Sequence, residues 1–123
     1  MAEWQITKTD KFIRDFEYYQ KKHPNELVAV MGNVDTYFRT LKKLSNPLQI
    51  QAGFIHREPA GIKAIDQKGG KQKIKLQQTR LYVYPDIDRS TLFLFTIGNK
   101  TNQSEDIRYC QEMVKKLKGG GGS

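Results

Sequence analysis

The spacing of apolar positions changes once along the chain, from helical periods in the first third to short alternating runs in the middle. Trp4 to Thr7 alternates as a short first strand does. In KFIRDFEYYQKK, Phe12, Phe16 and Tyr19 fall at helical spacing, with Thr9 or Asp10 placed to cap the helix and His23-Pro24 to stop it. Asn25 stands as a cap for a second helix, in which Leu27, Met31, Val34, Phe38 and Leu41 recur at steps of four and three. These stripes predict an antiparallel helical hairpin. LSNP, residues 44–47, closes it, because Pro47 disfavours a helical Asn46.

From Gly53 onward the runs are short and divided by Gly and Pro: GFIHRE, GIKAID, KIKLQQTRLYVY and TLFLFTIG. They predict three or four antiparallel strands, with Asp86 to Ser90 as the turn between the last two. SEDIRYCQEMVKKLK then reads as a closing helix. Ser104 is its expected cap, Glu105 and Asp106 suit the positive end of the dipole, and Ile107, Cys110, Val114 and Leu117 form its apolar stripe. The order strand, helix, helix, strands, helix predicts an α+β domain: a small twisted, mainly antiparallel sheet, the hairpin on one face and the basic positions on the other.

Length allows one domain, assigned to residues 1–118. The tract GGGGS, residues 119–123, is a glycine-serine linker of the kind used to join fusions and is excluded from the expected fold. A net charge of +8 points to an anionic partner, because clustered cations gain free energy by releasing counterions from a phosphate backbone. The bias is local. Arg57, Lys63, Lys68, Lys71, Lys73, Lys75 and Arg80 face only Glu58 and Asp66 in the same stretch. The single cysteine, Cys110, has no second thiol for a disulfide or a zinc site, and the start of the chain lacks an apolar signal core, so the cytoplasm is the expected compartment.

QKIKLQQTRLYVY followed by LFLFTIGNKTNQSEDIRYCQEMVKKL, and above all the run Gly98-Asn99-Lys100-x-x-Gln103-x-x-Asp106-Ile107, resembles the RelE/ParE superfamily of type II toxin-antitoxin toxins, in its HigB-like branch. The resemblance implies a toxin that enters the ribosomal A site and cuts messenger RNA, without metal or organic cofactor, and that a cognate antitoxin protein holds in check. It also implies a catalytic set of Lys73, Lys75, Arg80 and Lys100, and places Tyr109 as the aromatic of the last helix. The runner-up within the superfamily is a ParE-like poison of DNA gyrase without RNA chemistry. A third reading is an attenuated toxin that serves as an antitoxin-binding scaffold.

The chemistry suits those residues. Cleavage within RNA needs the 2′-OH deprotonated, the five-coordinate phosphorus stabilised and the leaving 5′ oxygen protonated. A lysine among other cations has its pKa pushed down and can serve as the base, and Lys73 and Lys75 share a face if they lie on a strand. Arg80 supplies a guanidinium fork. Tyr82 and Tyr84 share a strand face, where they can stack unpaired bases or pack across the sheet. Arg57, Lys63, Lys71, Asn99 and Gln103 complete the expected RNA contacts, with Lys63, Lys68 and Lys71 read as a solvated loop around Gly69-Gly70. Alternate lysines also guard edge strands against aggregation. His56 and Glu58, two apart, form a possible acid-base pair that the RelE-like scheme does not require.

Overall fold

The computed structural model describes residues 3–44, 46–69 and 75–120. Lys71 and Lys73 lie outside them. The elements follow the expected order: β1 (Gln5–Lys8), α1 (Asp10–Lys22), α2 (Pro24–Leu44), β2 (Ile55–Arg57), β3 (Lys63–Asp66), β4 (Thr79–Asp86), β5 (Thr91–Asn99) and α3 (Gln103–Gly120). The sheet runs β1-β5-β4-β3-β2, with β1 parallel to β5 and every other pair antiparallel. This is the predicted α+β architecture.

Thr9 caps α1: its Oγ1 accepts the Phe12 N–H and its hydroxyl donates to the Phe95 carbonyl at 2.7 Å, so one residue both starts the helix and ties it to β5. The second helix starts at Pro24, ahead of the Asn25 cap predicted. Proline suits the first turn, where its missing N–H is no loss, and the His23 carbonyl accepts the Leu27 N–H. The buried line of α2 is Leu27, Val30, Val34, Tyr37 and Leu41, with Met31 and Phe38 at its margin. These side chains pack with Trp4, Phe12 and Tyr19 against Ile65, Leu81, Val83, Leu92, Leu94 and Ile97 on one face of the sheet.

The opposite face is not the open basic surface expected. There α3 lies across the sheet, and Cys110 and Val114 pack on Ile62, Ala64, Tyr82 and Phe95. Its stripe identified a helix that buries one side, but not which side of the sheet receives it. Arg89 fastens the far end by bonding both the Asp86 carboxylate and the Leu117 carbonyl.

Three boundaries differ from the sequence reading. Strand β4 begins at Thr79, so Lys75 precedes the strand on which the sequence places it, and the expected pairing with Lys73 lies outside the described residues. Helix α3 begins at Gln103 and not after a Ser104 cap. Asn99 accepts the N–H groups of Thr101 and Asn102, opening a 3-10 turn that runs straight into the helix. At its other end α3 continues through Gly119 and Gly120, two residues into the glycine tract.

Candidate functional site

Directly opposed residues of an antiparallel pair share a face. Asp66 opposes Arg80, Arg80 opposes Gly98, and Ala64 opposes both His56 and Tyr82. Since Ala64 and Tyr82 lie under α3, His56, Asp66, Arg80 and Gly98 are set on that same face, at the end of the ladder where β3 and β5 finish and β4 begins. Asn99, Lys100 and Gln103 follow at once, so this end gathers half-buried Arg80 and Gln103 with exposed Lys100.

His56 Nε2 lies 2.5 Å from Asp66 Oδ2. The Asp66 side chain is 2% exposed, and its second oxygen accepts the Lys68 N–H at 2.7 Å, so the carboxylate is held on both sides. The imidazole is 30% exposed. With Nε2 turned to Asp66, Nδ1 is left for a proton transfer partner, which is the arrangement a general base requires. The sequence reading paired His56 with Glu58 instead. Asp66 lies one diagonal step across the β2–β3 hairpin, a relation visible only once the register is known.

Beneath α3, Glu58 Oε2, Arg80 Nε, the Tyr82 hydroxyl and Asp106 Oδ2 are buried without a hydrogen-bond partner among the described residues. Burial first, and then the Asp106 charge, push the Tyr82 phenol well above its ordinary range, so it stays protonated and can donate. Tyr82 is fully buried, which corrects its assignment as a base platform. Its ring is core. Tyr84 is half-buried and stacks on Phe95 with centroids 6.2 Å apart, and it sits four residues from Arg80, about 13 Å along the strand. It does not belong to the Arg80 end.

Asp106 presses its carboxylate on Gly98, where any side chain would collide with it. Burial raises its pKa to about 6, with Lys11 opposing and Asp15 and Glu105 adding to the rise. The folded protein therefore binds this proton more tightly than the unfolded chain does. The corresponding stability is complete below pH about 4, where both states are protonated, and is lost as pH rises through about 6. Asp106→Asn is expected to raise stability at neutral pH by about 2 kcal/mol and to have no such advantage near pH 4, read from urea unfolding at the two pH values.

The remaining expected contacts fall elsewhere. Lys75 is exposed in the segment before β4, where the neighbouring Gln77 N–H donates to Glu26 of α2. Tyr109 lies in an open basic cleft between α3 and α1, where Lys11 Nζ sits 5.6 Å from its ring centroid and Lys8, Arg14 and Lys116 line the walls. Asn99 spends its amide oxygen on the turn before α3. Lys63 is not in a solvated loop: it is a buried residue of β3, directly opposite exposed Arg57.

Among the described residues no group of three or more His, Cys, Asp or Glu side chains is placed to hold a metal ion, and no helix is long and apolar enough to cross a membrane. Compared with known protein families, curated proteins and solved structures, the chain gives no match.

Proposed function

We propose that this chain is the toxin of a type II toxin-antitoxin system, acting in the cytoplasm as a ribosome-dependent mRNA endonuclease restrained by a cognate antitoxin. The observation that carries the reading is the His56–Asp66 pair set beside Arg80 on one face of the sheet. In this account His56, oriented by Asp66, takes the 2′-OH proton. Arg80 neutralises charge on the phosphoryl oxygens as the 2′ oxygen attacks phosphorus. Lys100, exposed two residues beyond Gly98, gives a proton to the departing 5′ oxygen, and the products are a 2′,3′-cyclic phosphate and a 5′-OH. Lys73 and Lys75 then serve as further phosphate contacts, together with the cations around Tyr109 that extend the basic surface toward α1. The ribosome supplies much of the positioning, so free RNA is a poor substrate.

Pulse labelling after induction in bacterial cells tests this directly. Methionine incorporation is expected to collapse while thymidine incorporation continues. If DNA synthesis and supercoiling fail first with translation intact, the chain is a gyrase poison and the endonuclease reading is wrong.

A further inference from the structure

The sheet face turned toward the helical hairpin carries a second cationic pair that the proposed cleavage does not use. Lys63, at 9% exposed, stands directly opposite Arg57 across β2 and β3. Like charges in that relation repel. No carboxylate among the described residues pairs with Lys63, and the residues outside them contain no Asp or Glu. Burial, and then the Arg57 charge, push the Lys63 pKa below its ordinary value. Lys63 borders two open cavities beside this second cation, where an incoming anion can reach both.

The surroundings select the anion. Arg57 and Lys63 border a 140 Å³ cavity whose other walls are mainly apolar, including Ile50 and Ile55. Lys63 also borders a neighbouring 260 Å³ cavity flanked by Leu48, 70% exposed, and Ile87, 54% exposed. A nucleic-acid backbone gains nothing from such aliphatic side chains, whereas a peptide with apolar residues beside an acid uses both. We infer that Arg57 and Lys63 form a receptor for one carboxylate side chain carried by an apolar segment of a protein partner, with Leu48 and Ile87 receiving the flanking residues. The pair faces away from His56 and Arg80, so the inference stands apart from the endonuclease reading.

The test is an NMR titration of the full chain with the blocked peptide Leu-Ser-Glu-Ile-Leu, its glutamine counterpart and inorganic phosphate. The glutamate peptide is expected to shift the side-chain resonances of Lys63 and Arg57. The glutamine peptide, and Lys63→Met against the glutamate peptide, are each expected to bind about tenfold more weakly or worse. Lys63→Met keeps the stem and removes one of two facing like charges, so its Tm is expected to hold or rise. A glutamine peptide that binds equally well, phosphate that matches the peptide, absence of shifts, or a lower Tm for Lys63→Met would each overturn the inference.

Discussion

His56→Gln is expected to lower ribosome-dependent cleavage by about two to four orders of magnitude, the usual contribution of a positioned general base. Glutamine is the informative replacement because its amide can still donate to Asp66. That carboxylate is nearly enclosed, and leaving it without a partner would confound activity with unfolding. With Asp66 still bonded by the Lys68 N–H as well, stability is expected to change by about 1 kcal/mol or less. Arg80→Ala is expected to cost about two to three orders of magnitude in cleavage through lost stabilisation of the phosphorane. Both variants should permit growth on induction while keeping the parent circular dichroism spectrum. Undiminished toxicity in His56→Gln would remove the base from the account, and undiminished toxicity in Arg80→Ala would remove the site.

The second large effect is on stability. Gly98→Ala is expected to destabilise the domain by about 3 kcal/mol, although glycine to alanine at an unstrained backbone position ordinarily stabilises by several tenths of that. The sign reverses because the added methyl would occupy the place of the Asp106 carboxylate, a buried group that would have to move aside. Either the helix lifts or the strand end shifts. A shift displaces Gly98 from Arg80, its partner in the ladder, so toxicity should fall along with stability. Removing the obstructing carboxylate should restore much of the loss, giving a coupling of about 1 to 3 kcal/mol between Gly98→Ala and Asp106→Ala in urea unfolding. Additive effects of the two substitutions would show that the close approach of Asp106 is not the constraint on residue 98.

The elements read well from sequence where local chemistry decides them. Thr9 caps α1 because its hydroxyl precedes a periodic apolar run, and the chain turns after Asp86 because that carboxylate accepts the Arg89 N–H. What was not legible depends on contacts between elements. The stripe on α3 announced an amphipathic helix, yet a stripe cannot say that it will cover the face left free by the hairpin and take Tyr82 into the core. The approach of β5 to α1 is likewise tertiary. Phe95 is an extra residue between Leu94 and Thr96 in the ladder, and Asp15 closes the irregular stretch by accepting from the Thr96 hydroxyl and the Ile97 N–H.

The site divides in the same way. Arg80, Asn99, Lys100 and Gln103 were nominated by motif, and the ladder brings them to one end. His56 was seen without its true partner, because Asp66 becomes its neighbour only when the turn after Arg57 fixes which residues oppose. Lys63 was misplaced for the opposite reason. The glycines at 69 and 70 suggested a loop, while the strand ends earlier, at Asp66.

The measurement that bears most directly on the central claim is primer extension on a reporter mRNA incubated with the purified chain, with and without translating bacterial ribosomes. The account predicts new 5′ ends at codon-spaced positions only when ribosomes are present, lost in His56→Gln and Arg80→Ala. Correctly folded protein that produces no cuts under either condition would contradict it.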